Sequence, residues 1–204
     1  MTSHELSIVD KLDFGSAGMR MTTDEFDAVE EYDDRYGYEL IHGVVVVSPI
    51  PLEGEAGPND ELGYLLRRYF DDHPQGAFLG DTIPERYVRT AESRRRADRV
   101  IWAGLGRRPR PREDVPAIVV EFVSRSRRDH RRDYIEKREE YLTVGVKEYW
   151  VFDRFSRTLS VFQADEPRER VLAESDTYTT PLLPGFELPI ARLQAAADRW
   201  EADA

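Results

Sequence analysis

The residues AIVVEFV, at positions 117–123, are the stretch that most constrains how this chain can fold. Six of the seven are apolar, and a short apolar run rich in β-branched residues is typical of a strand buried within a sheet. Alternate side chains of a strand point to opposite faces, so Glu121 shares its face with Val119 and Val123, while Val120 and Phe122 lie on the other. Both faces are apolar apart from Glu121. We therefore predict a central strand that is covered on both sides.

Glu121 is the exception in this run. An isolated ionised carboxylate in a dry core is strongly unfavourable, so such a group is paired, protonated or bound to a metal. Two interpretations are open at this point. Glu121 is a core glutamate neutralised by one of the many nearby arginines, or it points into a protected cleft at the end of the strand and ligates a metal ion.

The composition excludes several classes of protein. The 204 residues are 40% hydrophobic and 34% charged, which is typical of a globular domain. There are no cysteines, so disulfides, thiolate zinc sites and cysteine nucleophiles are excluded. The first residues lack the pattern of a signal peptide, and no apolar run approaches the roughly 20 residues of a spanning helix. We expect a cytoplasmic protein with no membrane partner.

The net charge of −11 hides a basic middle of the chain. Arg86–Arg112 contains ten arginines and two acidic residues, and Arg125–Arg138 contains seven basic residues and three acidic ones. Such a distribution is typical of a surface that faces a polyanion. It is equally typical of a solvated loop followed by a salt-bridged helix.

The periodicity along the chain predicts one α/β domain over residues 21–204, with a mixed central sheet flanked by helices, after a loose extension over residues 1–20. Pro and Gly residues between 49 and 58 predict a loop. The predicted helices cover about residues 22–34 (with a capping box, Thr22 and Glu25), 59–72, 129–144 (ended by Gly145) and 190–200. The predicted strands cover residues 38–41 and 44–48 (a hairpin turning at His42-Gly43), 77–80, 86–89, 97–102, 117–123, and 147–153 and 158–163 (a second hairpin).

Asp98 provides a second candidate carboxylate, at the head of the strand-like DRVIW. Alone this is a weak signal, because Asp is common at strand ends and turns. Together with Glu121 it forms a carboxylate pair on two strands. Such a pair suits Mg²⁺ or Mn²⁺, which take one or two protein oxygens and keep several waters.

Lys137 and Glu39 complete the set of candidates. Only three of the 29 basic residues are lysines, and Lys137 falls in the helix after the Glu121 strand, sharing a face with Tyr134 and Tyr141. A lysine can orient or deprotonate a water, which arginine does poorly. The alternative is a surface lysine whose stem covers apolar neighbours. Glu39, in YELI, is either a further site residue or the polar position of an alternating strand.

These residues resemble the pattern of the PD-(D/E)XK, or restriction-endonuclease-like, superfamily, and more narrowly the bacterial Uma-two family. The resemblance covers about residues 20–200. It is carried, in order, by YELIHGVVVVSP (38–49), RADRVIW (96–102), AIVVEFVSRS (117–126), RDYIEKREEY (132–141), GVKEYWVFD (145–153) and PGFEL (184–188).

The resemblance implies a restriction-endonuclease-like fold and a role for each candidate. Asp98 and Glu121 correspond to the metal-ligating acids, with the backbone carbonyl of Phe122 as a further oxygen. Lys137 corresponds to the catalytic lysine moved onto the following helix, and Glu39 to an additional acidic residue. The implied activity is Mg²⁺- or Mn²⁺-dependent hydrolysis of phosphodiester bonds, in DNA in preference to RNA, with the two basic regions holding the nucleic acid.

Three positions depart from the family pattern. Ala97 stands where the motif has proline, and Val123 stands where the usual lysine follows the glutamate. PNDE (58–61) replaces a histidine-containing start of the second helix. Two other functions therefore stay open: a weak or inactive nuclease-like fold that serves as a binding or assembly module, and a small-molecule hydrolase. Pairing into a homodimer, with the terminal helix as one interface, is compatible with the family.

Overall fold

The computed structural model describes residues 9–124 and 132–200. The strands in this part of the chain are β1 (Lys11–Leu12), β2 (Glu31–Tyr32), β3 (Tyr36–Ile41), β4 (Val44–Pro49), β5 (Leu79–Arg89), β6 (Arg94–Ala103), β7 (Ile118–Phe122), β8 (Glu148–Asp153), β9 (Thr158–Gln163), β10 (Glu166–Ala173), β11 (Thr177–Thr179) and β12 (Glu187–Pro189). The α-helices are α1 (Thr23–Ala28), α2 (Glu53–Asp72), α3 (Arg138–Val144) and α4 (Ile190–Asp198). The fold is the predicted mixed α/β arrangement, with a central mixed sheet flanked by helices.

The chain divides into two compact units. The first consists of Met1–Ile50 and Arg89–Arg96, and the second of Pro51–Val88 and Ala97–Ala204. The prediction of one domain over residues 21–204 stays a prediction.

The first unit is built around the hairpin of β3 and β4, which the sequence predicts correctly. Its turn residues, His42 and Gly43, both have positive φ (48° and 76°), as a two-residue hairpin turn requires. The capping box is also confirmed, because Thr22 and Glu25 exchange hydrogen bonds between side chain and backbone at 3.2 and 2.7 Å. Helix α1 nevertheless ends at Ala28, because Val29 takes an extended conformation and β2 follows.

The loose extension predicted through residue 20 is wrong for its second half. Lys11–Leu12 pairs in parallel with Glu31–Tyr32, a capped 3₁₀ turn follows at Phe14–Ser16, and Arg20 bridges to Val44. Leu12 is fully buried. A two-residue strand is too short to show a period of two, so the sequence carried no signal for it. Residues 1–8 lie outside the described part of the chain.

The second unit contains the order β10-β9-β8-β7-β6, with β5 also paired to β6. The pair of β7 and β8 is parallel, and the pairs of β6 with β7, β8 with β9 and β9 with β10 are antiparallel. The hairpin of β8 and β9 is confirmed. The strand predicted at 77–80 begins only at Leu79, because Gly76–Phe78 forms a 3₁₀ turn, and from there the chain continues through 86–89 as the single strand β5. Strand β10, whose charged sequence does not alternate, has no counterpart in the predictions.

Strand β7 is central and covered on both sides, as predicted. All five of its residues are buried. Ile118, Val120 and Phe122 belong to one hydrophobic cluster, which includes leucines of α2 and α4. Val119 packs in a second cluster with Tyr141 of α3. Glu121 therefore lies on the face that α3 covers.

Helix α2 begins six residues earlier than predicted, so the expected loop over residues 49–58 is wrong beyond Leu52. Two of its glycines provide space for neighbours: a Cβ at Gly54 would lie 2.2 Å from Nη1 of Arg154, and one at Gly57 would lie 2.8 Å from Nε1 of Trp200. The glycines that indicated a loop therefore allow close packing of a helix. None of the helices in residues 9–124 and 132–200 is long and apolar enough to cross a membrane.

Candidate active site

The carboxylate of Glu121 is bonded to two side chains from the helix behind its strand. Nζ of Lys137 donates to Oε2 at 2.8 Å, and the hydroxyl of Tyr141 donates to Oε1 at 3.0 Å. The side chains of Glu121 and Lys137 are only 2% and 3% exposed. The interpretation of Lys137 as a surface lysine is therefore wrong, and this lysine is a buried cation paired with Glu121.

The helix that carries these two donors has an unusual start. Arg132–Lys137 forms a π-helical turn, which continues as α3 until Gly145 (φ 107°) ends it in the left-handed conformation. Residues four apart lie on one helical face, so Lys137 and Tyr141 both reach Glu121. π-helical turns are rare in proteins, and those that occur are often found at functional sites. The helix predicted over 129–144 is confirmed from Arg132 onwards, and residues 129–131 lie outside the described part.

A hydrogen bond to the backbone of β7 links Asp98 to the strand that carries Glu121. Its Oδ2 accepts a hydrogen bond from the Phe122 N–H at 2.6 Å. The register of β6 and β7 pairs Arg99 with Val120 and Val100 with Val119, and its continuation would place Asp98 opposite Glu121 on the same face. The two carboxylates that the sequence singled out therefore occupy neighbouring positions at the end of this strand pair.

The donor set of the site fits a hard divalent cation bound by few protein ligands. No group of three or more His, Cys, Asp or Glu side chains suited to a metal occurs within the described residues. Asp98 and Glu121 supply carboxylate oxygens on adjacent strands, and Mg²⁺ is commonly held by one or two carboxylates together with waters. The residues thus fit a partly hydrated Mg²⁺ or Mn²⁺ and do not form an all-protein cage.

Glu39 belongs to the first unit and is only 4% exposed. Its Oε1 accepts a hydrogen bond from the Arg96 N–H at 3.0 Å. The interpretation of Glu39 as the solvent-facing polar position of an alternating strand is wrong, because the four middle residues of β3 are all buried. Its role as an additional site acid stays a prediction, as does that of the Phe122 carbonyl.

Most arginines of the Arg86–Arg112 region are engaged within the protein. Arg89 and Arg94 both form ion pairs with Asp27. Arg107 forms two hydrogen bonds to Asp114, both 2.7 Å long, and these bonds lower the pKa of Asp114 to about 2. Arg110 pairs with Glu113 at 2.9 Å, and Arg95 is fully buried.

Arg99 is also buried, and its burial lowers the pKa of its guanidinium to about 10, so it stays charged at neutral pH. The arginines of this region that have neither an ion pair nor a side-chain hydrogen bond within residues 9–124 and 132–200 are Arg86, Arg108 and Arg112. A charge count on the sequence therefore overstates the surface that is available to a polyanion. The second basic region, Arg125–Arg138, lies partly outside the described residues.

Two adjoining clefts in the second unit are lined by Arg108 and other arginines. One, of about 570 Å³, is lined by Arg67, Arg107 and Arg108 together with Phe70. The other, of about 410 Å³, is lined by Arg108, Arg110 and Arg112. Their charge and concave shape suit a phosphate-bearing ligand.

The mixed sheet and the strand-borne acids define an α/β protein of the restriction-endonuclease-like class, and comparison with known proteins agrees. The sequence model of the Uma2 family, described as "Putative restriction endonuclease", matches residues 23–191. The chain belongs to this family, as its motifs indicated.

A solved structure, described as a putative nuclease belonging to DUF820 from Anabaena variabilis, is similar to this chain with a TM-score of 0.69 and 17% sequence identity. The similarity covers 87% of this chain and 99% of that one, and it supports the fold. No curated protein matches the sequence.

Proposed function

We propose that this protein is a Mg²⁺- or Mn²⁺-dependent nuclease that hydrolyses phosphodiester bonds, in DNA in preference to RNA. The observation that carries the proposal is the buried ion pair of Glu121 and Lys137 beside Asp98. A buried ion pair is weak evidence for a purely stabilising role, because an apolar pair of similar volume is often as stable. A lysine that contacts a strand carboxylate, next to a second carboxylate, is better explained by a catalytic role than by a purely stabilising one.

Each residue has a distinct part in this proposal. Asp98, Glu121 and the Phe122 carbonyl would hold the metal, which when bound supplies polarisation of the phosphate and a lowered pKa of a bound water. Lys137 orients the attacking water and stabilises negative charge in the transition state. Tyr141 holds the Glu121 carboxylate by its hydrogen bond. Glu39 is the additional acid that the family resemblance implies.

The nucleic acid would lie along the exposed arginines of the two adjoining clefts. Arg108 lines both clefts, and Arg112 lines one of them. Contacts of arginines with phosphates give affinity that is independent of sequence and falls as salt rises. A cytoplasmic location, a homodimer and contacts through Arg125–Arg138 complete the proposal as expectations from the sequence.

The test is a plasmid-nicking assay with Mn²⁺ on the wild type, Glu121→Gln and Lys137→Ala. Exposed neighbours provide matched controls, namely Glu139→Gln and Lys147→Ala. We expect nicking by the wild type and both controls, and a loss of at least about 100-fold in the two site variants, the lower range for loss of a positioned acid–base group. Nicking that survives both site substitutions would place the activity elsewhere or in a contaminant.

A binding or assembly module is the second candidate, and one observation favours it. Both oxygens of Glu121 already accept hydrogen bonds from Lys137 and Tyr141, so the pair could be a purely structural contact. Calorimetry with Mn²⁺ separates the two candidates. Metal binding that Glu121→Ala abolishes supports the nuclease, whereas no binding by either protein supports the module.

A further inference from the structure

Asn59 is a buried polar residue in α2 with bonds to two consecutive residues of β6. Its side chain donates from Nδ2 to the Asp98 carbonyl at 2.9 Å. Its Oδ1 accepts from Nε of Arg99 at 2.7 Å, and its own carbonyl accepts from Nη2 of Arg99 at 2.9 Å. Asn59 is only 6% exposed, so water does not substitute readily for these partners.

The two neighbours determine the orientation of the Asn59 amide. A guanidinium has only donors and a backbone carbonyl has only an acceptor, so Oδ1 must face Arg99 and Nδ2 must face Asp98. Nη1 of the buried Arg99 side chain also donates to Oγ1 of Thr82 at 3.2 Å. Arg99 thus orients Asn59, and Asn59 in turn holds the backbone of Asp98.

Asp98 lies where such support has the largest effect. The register of β6 with β7 covers residues 99–101 of β6, so Asp98 lies one position beyond the last of these pairs. Its carbonyl is held by Asn59, and its carboxylate accepts the short bond from the Phe122 N–H. Movement of the Asp98 backbone would therefore change the position of a proposed metal ligand.

We infer that Asn59 is a positioning residue that holds Asp98 in place for metal binding. The inference rests on the proposed function only as far as the metal is concerned. It also explains why a polar residue occupies this turn of α2, in the segment PNDE, where the family often has a histidine-containing start.

Asn59→Asp separates the two contacts of the side chain. The variant is isosteric and keeps an oxygen acceptor for Arg99, but it replaces the Nδ2 donor with a second oxygen that faces the Asp98 carbonyl. The new carboxylate also forms an ion pair with the Arg99 guanidinium, so we expect the variant to stay folded while the repelled Asp98 carbonyl moves. Thr82→Val is the matched control, because it removes the bonds of Thr82 to Arg99 and to the Val100 carbonyl but keeps the direct contacts between Asn59 and Asp98.

The first measurement follows the Phe122 amide by NMR with selective ¹⁵N-phenylalanine labelling. The chain contains nine phenylalanines, and Phe122→Leu identifies the signal. A short hydrogen bond to a carboxylate shifts an amide proton downfield, and we expect this shift to decrease in Asn59→Asp and to persist in Thr82→Val. The second measurement is Mn²⁺ calorimetry, in which we expect affinity to fall about 10- to 100-fold in Asn59→Asp only.

The two measurements separate the inference from the proposed function. An unchanged Phe122 signal in folded Asn59→Asp overturns the inference, and so does wild-type Mn²⁺ affinity in that variant. If the wild type itself binds no Mn²⁺, the metal-dependent function is overturned together with the metal part of the inference. The Phe122 signal then still decides whether Asn59 positions Asp98.

Discussion

Two glutamates are buried in adjacent parallel strands of the second unit, and they are satisfied in opposite ways. Glu121 in β7 and Glu148 in β8 are each 2% exposed. Glu121 is bonded to a cation and a phenol from one helix. Glu148 accepts four hydrogen bonds from neutral donors, which are Trp150 Nε1, Gln163 Nε2, Tyr178 OH and Thr180 Oγ1, at 2.8–3.1 Å.

The difference indicates which of the two carboxylates can exchange a side-chain partner for a metal ion. The donors of Glu148 come from separate strands and loops, and none is a cation that a metal ion could replace. Glu121 is paired with the ammonium of Lys137 at the end of a flexible stem, and a lysine can move while the strand stays in place. We therefore expect a structural role for Glu148, and the contrast supports the proposed role of Glu121 in chemistry.

The largest expected effect on stability comes from Glu148→Ala. The substitution leaves four donors without their acceptor, three of them on buried residues, and each buried unpaired donor costs about 1–3 kcal/mol. We expect the free energy of unfolding, measured in urea, to fall by about 4 kcal/mol or more. A fall of under about 1 kcal/mol would mean that the cluster relaxes or hydrates, and it would remove the contrast with Glu121.

Lys137→Met tests the other carboxylate. Removing one partner of a buried ion pair costs about 3–5 kcal/mol, because the remaining charge is left uncompensated. Adding Glu121→Gln to this variant should recover a large part of the loss, since no charge then stays buried. Lys147→Met is the control, because Lys147 is exposed and its loss should be within about 0.5 kcal/mol. Losses that add independently in the double variant would contradict a coupled pair.

The two phenols allow a direct comparison, because each donates to its glutamate at 3.0 Å. Tyr141→Phe removes one of the two side-chain donors of Glu121 described above, whereas Tyr178→Phe leaves three donors on Glu148. A hydrogen bond to a charged group contributes about 1.5–3 kcal/mol. We expect Tyr141→Phe to lower the unfolding free energy more than Tyr178→Phe does. The reverse order in urea denaturation would argue that Glu121 is the better-satisfied carboxylate.

The smallest expected effect is a shift in the pH at which Tyr178 ionises. Burial, and then the charge of Glu148, raise the pKa of Tyr178. The raised pKa means that the stability from this group is fully present below about pH 10, the ordinary tyrosine value, and is lost as pH rises through the folded value. Absorbance at 295 nm, with Tyr178→Phe as reference, should show Tyr178 ionising after an ordinary tyrosine. Glu148→Gln should move that ionisation to lower pH, and no movement would contradict the electrostatic coupling.

Local patterns predicted much of the fold and part of the site. The hairpin turn at His42-Gly43, the Thr22 capping box and the covered faces of β7 each depend on residues close in sequence. Lys137 was visible as a lysine in an arginine-rich chain. Tyr141 shared its helical face, although its bond to Glu121 was not predicted.

Features that depend on distant residues could not be predicted in this way. Glu148 is bonded to Tyr178 and Thr180, which lie about thirty residues further along the chain. Asn59 reaches Asp98 and Arg99 across a separation of about forty residues. The arginines between 86 and 112 carried the expected charge, but their partners, such as Asp27, were not visible in the local sequence.

The most direct test of the account is Mn²⁺ binding, followed by electron paramagnetic resonance, in the wild type, Glu121→Gln and Glu148→Gln. Both substitutions neutralise a buried glutamate with little change in volume, and circular dichroism verifies that each variant is folded. We expect the wild type and Glu148→Gln to bind Mn²⁺ alike, and Glu121→Gln to bind at least about tenfold more weakly. Unchanged binding in Glu121→Gln, or an equal loss in both variants, would contradict the assignment of Glu121 as the metal-binding carboxylate.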